Sequence, residues 1–228
     1  MQRDLGMKVT TDACIFGALL ADIDLASGDK ILDIGTGTGL LTLMAAQLHP
    51  ESNFTAVEID SLAYHQACEN CLNSPWNTQI SIIHQSIQEF HQATTEGYDL
   101  IIANPPFYTA HQQSKNSRKA VAHHSTSLGL SDLASAVSKL LKPEGQFVVL
   151  LPAFESEQLR DILGSKSIAA KQVVNVHNVE GDDRIFRKIS TYHRGVEGHV
   201  QSRFDIRTRD GVYSPEFIKY LSPFYLQL

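Results

Sequence analysis

Apolar residues along this chain gather in short runs separated by stretches of helical period. Lys30–Ile34, Phe54–Glu58, Ile80–His84, Tyr98–Ala103 and Gln146–Leu151 read as strands, being rich in Ile, Leu and Val and bounded by turn residues. Tyr98–Ala103 is apolar enough to be buried on both faces of a sheet. Leu40–Leu48 is an amphipathic helix ended by His49-Pro50, and a helix capped by Ser61 runs to about Leu72, where Asn73-Ser74-Pro75 stops it. Helices over Ser131–Leu141 and about Phe154–Leu163 follow, with two last strands near Ala169–Val176 and Arg184–His193. Strands alternating with helices imply parallel pairing through right-handed crossovers, and hence an α/β fold with a doubly wound sheet and helices on both faces. No internal repeat or low-complexity tract interrupts the series.

The apolar stretch Ala13–Ala21 has the length of a signal-peptide core, yet Asp12 and Asp22 flank it and no cleavage tripeptide follows. It is expected as a helix packed on the domain. At 228 residues and 43% hydrophobic, the chain suits one domain, with residues 1–28 leading in, 29–195 forming the sheet core and 196–228 an extension. No apolar run reaches the about 18 residues that a membrane span needs, so no membrane partner is expected. Three cysteines, an odd number, point to a reducing cytoplasm. Cys68 and Cys71 form a lone Cys-x-x-Cys, and the ten histidines include no spaced Cys/His set, so no metal is expected.

The net charge of −6 argues on its face against a nucleic-acid partner, but its distribution does not. Residues 1–104 hold 3 Lys/Arg against 13 Asp/Glu, whereas residues 105–228 hold 16 against 12. The densest basic stretch runs from Lys115 to His124 and contains Lys115, Arg118, Lys119, His123 and His124. Polar and unpatterned, it is expected as a loop that holds a polyanion over a site.

That site is announced by Asn104-Pro105-Pro106-Phe107, which directly follows the strand Tyr98–Ala103. Ligands of an open α/β sheet bind at the carboxyl ends of its strands. Two consecutive prolines continue neither a central strand nor a helix, so they set a rigid extended turn with outward carbonyls. An amide precedes the turn and an aromatic ring follows it. This combination suits a planar group bearing an NH2, whose hydrogens the Asn104 oxygen and a proline carbonyl accept while the Phe107 ring stacks on its face.

A second motif is Gly35-Thr36-Gly37-Thr38-Gly39, between the strand Lys30–Ile34 and the helix Leu40–Leu48. Glycines there let a ligand approach the backbone closely. The spacing is not that of the dinucleotide fingerprint, because Leu41 and Thr42 stand where the fingerprint would continue. Asp33 precedes the first glycine by two residues, and Glu58 ends the next strand, where a carboxylate would accept both hydroxyls of a ribose.

Asp33 to Gly39, Val57-Glu58-Ile59-Asp60 and Asn104-Pro105-Pro106-Phe107 together resemble the cofactor loop, ribose acid and target-amine motif of the class I S-adenosylmethionine-dependent methyltransferases. The resemblance implies a seven-stranded sheet whose last strand is antiparallel, S-adenosylmethionine as cofactor, and methylation of an amino group on a planar system. Met7-Lys8-Val9-Thr10-Thr11-Asp12-Ala13, the Ala67-x-Glu69-Asn70 helix with Ser74-Pro75-Trp76, and Tyr213-Ser214-Pro215-Glu216-Phe217 with Phe224-Tyr225-Leu226 narrow it further. They are similar in order and spacing to the bacterial tRNA(Val) adenine-N6 methyltransferases, which modify the adenosine 3′ of the anticodon.

By this resemblance Asn104, Pro105, Pro106 and Phe107 are the catalytic set. Lys8, Thr11, Asp33, Gly35, Thr36, Gly37, Gly39, Glu58, Ile59, Ser86 and Asn104 meet the cofactor, and Lys115, Arg118 and Lys119 meet RNA. Asp12 is a further candidate for the cofactor pocket. Thr11 and Asp12 suit equally well the capping of a helix from Ala13. Relatives usually carry an acid where this chain has Ser86, which lowers the expected affinity for the cofactor adenine. They also carry more residues upstream of Met7-Lys8-Val9, so this chain either starts late or lacks part of the substrate surface. The partner implied is tRNA, the enzyme is expected to act as a monomer, and methylation of a protein glutamine amide or another nucleobase amine is the alternative activity. An RNA-binding module without turnover is the remaining alternative.

Overall fold

The computed structural model describes residues 9–106, 128–195 and 198–227. Eight strands form a single sheet: β1 Lys30–Ile34, β2 Asn53–Glu58, β3 Ile80–His84, β4 Tyr98–Ala103, β5 Leu141–Leu151, β6 Ile168–Val179, β7 Arg187–Arg194 and β8 Val200–Arg207. Their spatial order is β3-β2-β1-β4-β5-β7-β6-β8. The first five strands pair in parallel. β7 runs antiparallel to β5 and to β6, and β8 pairs in parallel with β6. The order reverses between β1 and β4, and the crevice beyond the carboxyl ends of those two strands is where such sheets take ligands.

Two apolar layers sandwich the sheet. On one face Leu32, Ile34, Ile101, Ala103, Phe147 and Val149 pack with α5 (Leu130–Leu140) and α6 (Ala153–Gly164). On the other, Ile31, Leu100, Ile102 and Val148 pack with α1 (Thr11–Leu19), α2 (Leu40–Leu48) and α7 (Pro215–Leu221). Successive residues of a strand face opposite ways, so a strand that supplies both layers has to be apolar throughout. β1 and β4 are such strands. The stretch with signal-peptide length is α1, buried from Asp12 through Ala18; a helix that is apolar all round finds its place between the sheet and other helices.

Several expectations are corrected in detail. The sheet has eight strands where seven were expected, because residues 196–228, assigned as an extension, contribute β8. That edge strand buries only Phe204 and Ile206, two positions apart, which is a weak signal in the sequence. Two short helices also went unannounced, α4 (Ile87–Ala93) and α7. The third helix, α3 (Ser61–Leu72), is capped by Asp60 and not by Ser61: the Asp60 carboxylate accepts the Ala63 N–H at 2.9 Å. Thr11 and Asp12 lie inside α1 and not at its cap position, although the Asp12 carboxylate accepts the Ala13 N–H at 3.1 Å. The N-cap residue of α1 is Thr10, which makes no side-chain cap bond.

Candidate active site

The end of β1 and the start of α2 form the glycine turn. Gly35, Gly37 and Gly39 have φ of 71°, 60° and 85°, a region that residues with a β-carbon avoid. A β-carbon at Gly35 or Gly37 would meet no atom within 4 Å, so both backbones border open space. At Gly39 it would lie 3.4 Å from the Cys71 sulfur, since α3 crosses close by. The Asn70 amide donates to the Thr38 carbonyl at 2.9 Å and ties the turn to α3. In the sequence Asn70 was part of a family signature; nothing there showed that it holds this loop.

Beneath the turn lies Asp33, 2% exposed. The Thr36 and Thr42 hydroxyls both donate to its Oδ2 at 2.7 Å. Its Oδ1 is buried with no hydrogen-bond partner. Burial pushes the Asp33 carboxyl up to about 6 against the opposing pull of those hydroxyls. Glu58 stands at the end of β2, where its Oε2 accepts the Gly37 N–H at 2.8 Å and its Oε1 the Asp60 N–H at 2.8 Å. It therefore shapes the turn itself, and each carboxylate oxygen keeps a second lone pair for a ligand hydroxyl.

A cavity of about 510 Å³ opens beside the turn, lined among others by Ile34, Gly35, Val57, Ile59, Ser86 and Leu128. This lies within the size range of small-molecule sites. Ser86 is the N-cap of α4: its hydroxyl donates to Glu89 Oε2 at 2.9 Å while accepting the Glu89 N–H at 3.2 Å. The hydroxyl thus makes the N-cap half of a capping box, while the Glu89 carboxylate binds the hydroxyl itself. Glu89 also lines the cavity, so the negative charge absent from position 86 stands three residues further on. Glu89 was not among the candidates read from the sequence, although Ser-x-x-Glu ahead of a helix was a legible signal.

Asn104, Pro105 and Pro106 leave β4 at the same edge. Ile34 and Ala103 are register partners, so Gly35 and Asn104 are the first residues beyond their strands on either side of the reversal in strand order. Adjacent strands lie roughly 4.8 Å apart. Asn104 is half-buried, Pro105 buried and Pro106 exposed.

The remaining candidates divide. Thr11 and Asp12 stand apart from the cavity beside the glycine turn: they line a second cleft, in which Asp12 accepts from Arg187 Nε at 2.9 Å. Lys8, Phe107, Lys115, Arg118, Lys119, His123 and His124 lie outside the described residues. Among the described residues no group of three His, Cys, Asp or Glu is arranged to hold a metal, and no helix is long and apolar enough to cross a membrane.

The orphaned Asp33 oxygen, the open glycine backbones and the adjoining cavity fit a nucleoside cofactor such as S-adenosylmethionine. Solved structures share the fold. One described as a predicted O-methyltransferase of Agrobacterium tumefaciens superposes with a TM-score of 0.69 at 16% identity, covering 91% of this chain and 95% of that one. A precorrin-6y C5,15-methyltransferase of Geobacter metallireducens gives 0.57 at 16% identity, covering 85% and 92%. The architecture is thus that of a class I methyltransferase. Residues 16–172 match the methyltransferase small domain.

Sequence relatives sharpen the assignment. A protein of Dyadobacter fermentans named tRNA1(Val) (adenine(37)-N6)-methyltransferase is 38% identical over 99% of this chain and 93% of its own length. One of the same name from Aeromonas hydrophila is 35% identical over 97% and 92%. The chain belongs to the methyltransferase small-domain family and, within it, to the group of these tRNA adenine-N6 methyltransferases.

Proposed function

We propose that this enzyme transfers a methyl group from S-adenosylmethionine to N6 of an adenosine in tRNA, with adenosine 37 of a tRNA(Val) as the expected target. One observation carries the reading above others: Asn104-Pro105 and the glycine turn leave paired strands on either side of the switch point. An acceptor pair for an amine thus adjoins a nucleoside cradle.

Bound S-adenosylmethionine supplies an electrophilic methyl group on a good leaving group. The protein's own part is to hold and orient. Gly35 and Gly37 admit the cofactor to the backbone, Glu58 accepts from its ribose hydroxyls, and Asp33 offers Oδ1 as a buried acceptor. Thr36, Gly39 and Ile59 shape the same pocket, and Lys8 is assigned to it from the family motif, whereas Thr11 lines the second cleft. Ser86 accepts from the adenine amine, its hydroxyl polarised by the Glu89 carboxylate to which it donates.

The target amine is a poor nucleophile because its lone pair is delocalised into the ring. The Asn104 side-chain oxygen and the Pro105 carbonyl accept its two hydrogens, which draws the nitrogen toward tetrahedral geometry and turns its lone pair outward. Pro106 keeps that turn rigid and Phe107 stacks on the base. No strong general base is needed, since the nitrogen proton becomes acidic only as the new bond forms. A loop adenosine leaves its stack at lower cost than a paired one, and Lys115, Arg118 and Lys119 are assigned to its phosphates. On this reading the chain acts in the cytoplasm as a monomeric catalytic unit.

The test is methyl transfer from labelled S-adenosylmethionine to tRNA from a strain lacking the matching gene, followed by mass spectrometry of the nucleosides. N6-methyladenosine that appears only with the protein is the expected result. Cofactor binding without any nucleoside product, or with label on protein glutamine, would overturn the tRNA assignment.

A further inference from the structure

The carboxyl edge of the sheet carries a second cleft, of about 420 Å³, beyond β5 and away from the glycine turn. Its walls come from the start of α1, the ends of β6 and β8, and the segment entering β7. We propose that this cleft is a nucleotide subsite, taking a base of the single-stranded RNA that flanks the methylated adenosine. The proposal rests on the tRNA reading and deepens it.

Position is the first argument. Ala103 pairs with Val149, and Leu150 with Ile189, so Asn104 and Ile189 stand at about the same level of the sheet. β7 runs antiparallel, so Arg187 and Phe186 lie slightly further out along the ligand-binding edge. β4 and β7 are two strand spacings apart, roughly 10 Å. One or two nucleotides of unpaired RNA bridge that distance; Arg207, at the end of β8, stands two strand spacings beyond β7, so about three reach its wall of the cleft.

The second argument is the chemistry of the walls. The Arg187 guanidinium lies 4.3 Å from the centre of the Phe186 ring. It is held there by Asp12 at 2.9 Å and by the Phe186 carbonyl at 2.8 Å. Nearby, Tyr213 stacks on the buried Phe217 ring at 4.4 Å and 9°, and Arg207 lies 4.5 Å from the Tyr213 ring centre. Arg207 uses one donor on the Gly211 carbonyl at 2.6 Å. Two guanidinium planes are thus fixed over two aromatic rings in one cleft. Unpaired bases are recognised by stacking on aromatic rings and on arginine planes, and a fixed plane loses little freedom on doing so. An anion site alone would need no aromatic layer. Because Asp12 offsets the charge of Arg187, stacking rather than charge is the main attraction here.

Phe186 packs partly against the core, so the test uses conservative changes. Wild type, Phe186→Leu, Phe186→Tyr and Arg207→Lys are compared for KM and kcat on unmodified tRNA, for S-adenosylmethionine affinity, and for melting temperature. Phe186→Leu keeps apolar bulk without a ring, and Arg207→Lys keeps charge without a plane. Each is expected to raise KM for tRNA on the order of tenfold, with cofactor affinity within about twofold of wild type; Phe186→Tyr should stay near wild type. An anticodon stem-loop made abasic next to the target should cost wild type a similar factor and Phe186→Leu little more. Unchanged KM in both variants, or an abasic penalty equal in wild type and Phe186→Leu, overturns the subsite while the activity stands. Were wild type to methylate no tRNA at all, the activity reading would fall, and the subsite with it.

Discussion

The two ends of the sheet's carboxyl edge are built in different ways. Around the glycine turn, Asp33, Gly37 and Thr42 lie within ten residues of one another, and Glu58 reaches Gly37 from the adjacent strand. At the far end, Asp12 meets Arg187 across 175 residues of chain, and the neighbouring platform joins Arg207 to Tyr213. The first is a local motif, readable as a string. The second is an assembly that exists only after α1, β7 and β8 have found one another. A site made by a motif can be named from sequence; a site made by packing has to be seen.

Mutations separate these ends from the reacting centre between them. Asn104→Ala should have the largest effect, a loss of activity on the order of a hundredfold or more with nearly intact S-adenosylmethionine binding. Turnover close to wild type in that variant would show that the amine is oriented elsewhere.

Asp33→Asn comes next and acts on stability. The native carboxyl titrates at about 6, above its ordinary value of 3.8. Below about pH 4 both states are protonated and burial carries no penalty. As pH rises toward 6 the unfolded chain loses its proton first, so the stability contributed by the neutral acid declines, by at most roughly 3 kcal/mol. Asn keeps an acceptor for Thr36 and Thr42 and has no charge to desolvate. The variant without cofactor should therefore lose this fall in melting temperature between pH 4 and 6 and be the more stable at pH 7, while binding S-adenosylmethionine less well. An unaltered slope would assign the pH dependence to other groups.

Gly37→Ala should cost about 1 to 2 kcal/mol in folding, the strain of a φ of 60° with a β-carbon present. Since that β-carbon meets no protein atom, loss of cofactor affinity beyond the folding cost would mark where the ligand lies. The effect should be absent from tRNA affinity measured with cofactor saturating. The smallest effect is expected from Ser86→Asp. Aspartate caps a helix as well as serine does, so melting should hardly change, and a charged acceptor should tighten S-adenosylmethionine binding severalfold. Weaker binding would indicate that the Ser86–Glu89 pair already performs this task and that a second carboxylate repels it.

Much of the molecule was legible beforehand because its strands are short, apolar and flanked by turn residues. The five parallel strands were located within a few residues, although β5 begins five residues ahead of the expected Gln146. Edges were harder: β8 offers two buried side chains and α4 about two turns of helix. The capping residue of α3 was missed by one position because Asp60 and Ser61 are equally good caps by type, and only the backbone conformation chooses between them.

The sequence by itself determined the fold class, the glycine turn and the Asn104-Pro105-Pro106-Phe107 motif. Each depends on interactions between residues close in the chain, or on backbone conformations that few residue types can adopt. Only the tertiary structure decided that Glu58 braces Gly37, that Ser86 and Glu89 line the cavity beside the glycine turn, and that Asp12 pairs with Arg187. A carboxylate's partner is whichever donor packing brings within about 3 Å. That choice is made when the sheet closes its layers.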